Sequence, residues 1–120
     1  MRTVILTMCL VLASHISFGQ QKVKKTPEER AEIATKHLEK DITLTPVQRD
    51  KIYSINLRTA QKNQEIRKKA DLTEEQKKEQ LKSSNQNRRK SVMAELTEEQ
   101  KKVLKEKKKA RKEKADEDDL

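Results

Sequence analysis

The sequence predicts an all-α chain of about four helices, held in a thin, elongated, hairpin-like arrangement with no β-sheet. Three observations carry that expectation. A threonine followed three residues later by Glu or Gln recurs four times along the chain. Glycine is all but absent, with Gly19 the single example. The apolar residues beyond position 19 are few, but they fall at helical spacing. A chain of 120 residues allows one domain at most. Leu, Ile, Val and Phe supply only 17 of the 101 residues from position 20 onward, below the roughly 20% at which a packed core gives way to disorder. A thick globular core is excluded, and disorder is the competing expectation, chiefly for the C-terminal end.

Residues 1–19 read as a signal peptide. Arg2 supplies a positive start, and Val4 to Phe18 form an apolar run broken only by Thr7, Ser14, His15 and Ser17. The run is shorter than the roughly 20 residues of a bilayer span. Ser17 and Gly19 place small residues at −3 and −1 of a cleavage point before Gln20, the pattern that signal peptidase accepts. Export to the periplasm follows. Cleavage removes Cys9, His15 and Phe18, leaving a mature chain with no thiol. That chain carries 28 Lys/Arg against 20 Asp/Glu, a net charge of +8. Nucleic acid is not an expected partner. The compartment is wrong, and Tyr53 alone cannot stack successive bases.

Residues 20–25 read as a polar linker, residues 26–104 as the helical domain, and residues 105–120 as a charged tail, helical or frayed. Within the domain the repeated signal is a capping box: the threonine oxygen accepts from an orphan backbone N–H, and the Glu or Gln side chain reaches back to the cap N–H. The boxes are Thr26-Pro27-Glu28-Glu29, Thr45-Pro46-Val47-Gln48, Thr73-Glu74-Glu75-Gln76 and Thr97-Glu98-Glu99-Gln100. Pro27 and Pro46 take the first helical position, where a missing N–H costs nothing. Helices are therefore expected over about 27–41, 46–70, 74–95 and 98–114, with continuous helix possible at the joints near Asp71 and Leu96.

The apolar positions on the first helix are Ile33, Ala34 and Leu38. On the second, Ile52, Ile55 and Ile66 share a side, with Tyr53, Leu57 and Ala60 next to it. The third has Leu81 and then nothing apolar until Val92 and Met93. Folding it back on the second from a joint near Asp71 brings Ile66 toward Leu81, and Ile52 and Ile55 toward Val92 and Met93. The polar stretch Lys82–Ser91 then forms a wet waist between two greasy ends. So little burial favours a second copy of the chain, and a homodimer is expected.

Leu44-Thr45-Pro46-Val47-Gln48 and Leu96-Thr97-Glu98-Glu99-Gln100 are LTxxQ motifs, and Leu72-Thr73-Glu74-Glu75-Gln76 is a third. An exported, basic, glycine-poor helical chain with such motifs near its front and its end resembles the Spy/CpxP family of small periplasmic stress proteins. The likeness covers about residues 26–110; the third motif and the Lys-rich end depart from it. The resemblance implies a four-helix chain that dimerises into a thin cradle and suppresses aggregation without ATP. It also implies, as alternatives, an inhibitory or adaptor role on an envelope-stress sensor kinase, or metal binding.

The residues agree best with a chaperone-like binder of unfolded envelope proteins. Isolated apolar side chains among Lys and Arg suit weak, reversible contact, with Ile52, Ile55, Leu57, Ile66, Leu81, Val92 and Met93 as the candidate contacts. A sensor-kinase adaptor would use the same basic surface. No metal site and no cofactor are expected. His37 and Asp41 lie four apart on one helical face, but one His and no Cys are too few for zinc. No catalytic residue is expected either: the mature chain lacks a nucleophilic Cys and a phosphate-cradling glycine loop, and nothing desolvates its carboxylates.

Overall fold

The computed structural model describes residues 24–118. The predicted signal peptide, its cleavage point at Gly19 and Gln20, and most of the linker lie outside these residues. Four helices follow in order: α1 (Pro27–Glu39), α2 (Pro46–Lys68), α3 (Glu74–Ala94) and α4 (Glu98–Asp118). Among the described residues there is no strand.

All four capping boxes form. The threonine hydroxyls of Thr26, Thr45, Thr73 and Thr97 each accept from the backbone N–H three residues on, at 3.2 Å. The Glu29, Gln48, Gln76 and Gln100 side chains return the bond to the cap N–H at 2.9–3.0 Å. Two orphan donors are thus satisfied at each start. No described residue adopts a positive φ, so no helix ends in the left-handed cap that glycine favours. The chain leaves α2 through the extended backbone of Lys69, at φ −67° and ψ 116°. The threonines that start the next helices are extended too, at −68° and 157° for Thr45 and −69° and 160° for Thr73.

The joints at Asp71 and Leu96 are breaks, not continuous helix. Both α1 and α2 stop two residues short of the expected ends, and α3 stops one short. At the α1–α2 joint the Asp41 and Ile42 N–H groups both turn back to the Leu38 carbonyl, at 3.0 and 3.1 Å, and close the turn. By contrast α4 runs on to Asp118, past the expected end at 114. No Gly or Pro interrupts it, and Lys109 and Glu113 pair across one turn at 3.9 Å.

The second helix is the centre of the molecule. Both α1 and α3 pack along it and run antiparallel to it. Arg49 of α2 reaches Glu32 and Glu39 of α1 at 2.8 and 3.0 Å, and Asn63 of α2 meets Asn85 of α3 at 3.2 Å. The buried stripe of α2 is Ile52, Asn56, Asn63 and Ile66. At its N-terminal end, Ile52 joins Ile42, Val92, Leu96 and Leu104 in the apolar core, with Leu38, Leu44, Ile55 and Met93 packed around it. The expected meeting of Ile52 and Ile55 with Val92 and Met93 is present. Ile66 is buried near the other end, and Leu81 is half-buried.

One expectation for α1 fails. Ile33 is 39% exposed, whereas Ala31 and Thr35 are fully buried. Ala31 has no bulk to hold the helices apart, and the Thr35 hydroxyl is doubly satisfied. It donates to the Ala31 carbonyl at 2.8 Å and accepts from Asn56 Nδ2 at 3.1 Å. A hydroxyl with both bonds made loses its desolvation penalty.

The waist between the apolar ends is polar, as the run Lys82–Ser91 requires. Thr35, Asn56, Asn63 and Ser84 are buried there. Asn56 ties three helices together, donating to Thr35 of α1 and accepting from Arg88 Nη1 of α3 at 3.2 Å. Asn63 Oδ1 is buried with no partner, and such an orphan acceptor costs about 1–3 kcal/mol. Asn63→Leu is therefore expected to stabilise the fold by about 1 kcal/mol. It removes the orphan, while the half-buried Asn85 turns to water. A higher thermal midpoint by circular dichroism checks this, and a lower one would mean that the Asn63–Asn85 bond outweighs the orphan.

Candidate functional site

The LTxxQ motifs do more than start helices. Thr43–Gln48 and Glu95–Gln100 face each other where α2 and α4 begin. Gln48 Nε2 donates to the Glu95 carbonyl and to Gln100 Oε1, both at 2.9 Å. Gln100 Nε2 donates in return to the Thr43 carbonyl at 2.7 Å and to Gln48 Oε1 at 3.0 Å. Each amide oxygen also accepts from its own cap N–H. Every donor and acceptor of both carboxamides is used. The bonds repeat with the two motifs exchanged, so the joint has local two-fold symmetry. A glutamate in either place could not donate across the joint. Beneath this lock Leu96 is buried in the core and Leu44 packs on it.

The middle motif has another fate. Residues 72–78 and 96–102 are the same heptapeptide, Leu-Thr-Glu-Glu-Gln-Lys-Lys. Gln76 nevertheless only caps its own helix, and it is exposed at the α2–α3 joint, with Leu72 half-buried beside it. Cap chemistry is readable from the motif; the pairing of two of the three copies is a tertiary result that the sequence reading missed.

Two open grooves flank the polar waist. The larger, about 630 Å³, runs along the α2–α3 seam and is lined by Ile55, Arg58, Lys62, Glu65 and Arg88 among others. The second, about 200 Å³, lies between α1 and α3 near the apolar core. Its walls include Leu38, Asp41, Arg88, Arg89, Met93 and Lys108. Arg88 lines both. Burial, and then the charge of Arg89, lower its pKa from the ordinary arginine value, and the bond to Asn56 fixes its position. The middle of α4 closes the second groove through Leu104, Lys108 and Arg111, the last paired to Asp41.

The candidate contact residues divide. Ile55 and Met93 are half-buried and line the grooves, and Val92 reaches the second groove from the core. Leu57 and Leu81 are half-buried outside them. Ile52 and Ile66, at 0% and 3% exposure, are corrected to packing residues: the antiparallel fold turns their face inward, so neither is open to a partner. The sequence reading missed Arg88, whose position is visible only once α3 lies on α2.

His37 is exposed and Asp41 is engaged by Arg111. Among the described residues no group of three or more His, Cys, Asp or Glu side chains could hold a metal ion. No helix among them is long and apolar enough to cross a membrane.

A model of one protein family, described as a domain of unknown function (DUF4890), matches residues 13–117. The chain belongs to that family. Searches of the curated proteins and of the solved structures found no match.

Proposed function

We propose that this member of the DUF4890 family is an exported, ATP-independent chaperone-like protein that binds unfolded or stressed envelope proteins. The observation that carries the reading is the character of the two grooves. Each is open and basic and mixes apolar with charged side chains: Ile55 among Arg58, Lys62 and Arg88, and Leu38, Val92, Met93 and Leu104 among Arg88, Arg89 and Lys108. Neither offers a deep apolar pocket for one shaped ligand. An extended polypeptide with scattered apolar residues and carboxylates fits such a surface weakly along its length and can leave it again. Export is read from residues 1–19, and the LTxxQ motifs supply the resemblance to the Spy/CpxP family. A homodimer would extend the surface.

The purified protein is expected to delay aggregation of a chemically unfolded model client at stoichiometric ratio. Protection should weaken as salt rises toward about 1 M, where the Debye length falls to roughly 3 Å. Failure to delay aggregation at any ratio overturns the proposal. Recovery of one saturable membrane partner by periplasmic crosslinking, without protection of clients, would favour the sensor-kinase adaptor instead.

A further inference from the structure

The α2–α3 and α1–α3 grooves each contain a carboxylate, Glu65 in one and Asp41 in the other. A third pocket, of about 280 Å³, lies at the opposite end of the α1–α2 pair and contains none. Lys24 and Lys25, just ahead of α1, and Arg30 in its first turns close it on one side, and Arg67 and Lys68 at the end of α2 on the other. Ala60 and Gln64 lie between them. None of the five cations forms an ion pair among the described residues. The acids nearest along the chain, Glu28, Glu29 and Glu32 around Arg30 and Glu65 and Asp71 around Arg67 and Lys68, do not line the pocket. Glu65 lies in the α2–α3 groove and Glu32 pairs with Arg49. The Glu29 carboxylate is held by the Thr26 N–H at 2.9 Å, and Glu28 is exposed in the first turn.

Basic residues in the last turn of α2 offset its helix dipole, which accounts for Arg67 and Lys68. It does not account for three further cations brought to the same pocket by α1. Arg30 is also positioned: its Nε donates to the Lys25 carbonyl at 3.2 Å, leaving the outer guanidinium N–H groups free. Like charges gathered in a concavity without a counter-charge favour an anion of more than one charge.

We propose that this pocket binds a phosphate group. The guanidinium forks of Arg30 and Arg67 suit paired hydrogen bonds to phosphate oxygens, with the lysines supplying charge around them. The phosphate is either free or carried on a lipid headgroup, and the two sources separate in one experiment. The site is independent of the client-binding reading.

Titration calorimetry with inorganic phosphate, and flotation with phosphatidylcholine vesicles with and without phosphatidic acid, test it on the full chain. Saturable binding of inorganic phosphate supports a free-phosphate site. Binding only to phosphatidic acid vesicles supports a headgroup site. In either case Arg30→Gln with Arg67→Gln should weaken binding by about 100-fold, about tenfold for each charged hydrogen-bonding group lost. Lys24→Gln with Lys25→Gln, which precede the first helix and leave its packing alone, should also weaken it. Lys107→Gln with Lys109→Gln removes the same charge from α4 and should leave binding within about twofold. Absence of binding in both arms overturns the proposal. So does an equal loss in the α4 variant, which would trace binding to overall charge.

Discussion

Ile52→Ala is expected to cost about 2–4 kcal/mol of stability, the largest loss from any single truncation in this fold. Ile52 is fully buried, and its neighbours come from every part of the chain: Ile42 from the first joint, Val92 from α3, Leu96 from the last joint and Leu104 from α4. Removing its branched side chain leaves a cavity where all four helices meet. With seven buried apolar residues among the described residues, no second core layer closes over it. Small domains have only about 5–15 kcal/mol in hand, and so thin a core places this one low in that range. Urea denaturation followed by circular dichroism should show a large fall in midpoint. Leu57→Ala, at a half-buried site, should cost about 1 kcal/mol. Equal losses at the two positions would mean that Ile52 is not the meeting point.

Gln48→Ala is expected to destabilise by about 2–3 kcal/mol, and Gln76→Ala by no more than about 0.5–1 kcal/mol. Both glutamines close a capping box, and both substitutions remove that bond. Only Gln48 also spans 52 residues to Gln100 and 47 to the Glu95 carbonyl. Its loss strands a Gln100 amide that is half-buried. Gln100→Ala should match Gln48→Ala, and the double variant should lose less than the sum, because the two side chains share their bonds. Chemical denaturation of the four variants checks this. If Gln48→Ala and Gln76→Ala cost the same, the glutamines act as caps alone.

The starts of all four helices were legible because a capping box is local: four residues and two hydrogen bonds decide it, whatever lies elsewhere. The hairpin of α2 and α3 was legible too, since Ile52 and Ile55 could meet Val92 and Met93 only by folding back near Asp71. Helix ends were less so, because no glycine marks them. Burial of Thr35 and Asn56 escaped a reading that looks for grease, as their burial depends on partners 21 residues apart. The same heptapeptide at 72–78 and 96–102 gives the clearest limit. Identical residues end in different roles because only one copy faces Gln48. The candidate contacts divided for the same reason: helical spacing placed Ile52 and Ile55 on one side of α2, but only the position of α3 decides which of them is closed off.

The polar waist has a mechanical consequence. Asparagine, threonine and arginine can exchange their mutual bonds for water with little net change in free energy, whereas separated apolar surfaces cannot. Prising α1 and α3 apart at Asn56 is therefore cheap, while the glutamine-locked end resists. Amide exchange is therefore expected to be faster beside Asn56 and Ser84 than beside Gln48 and Gln100.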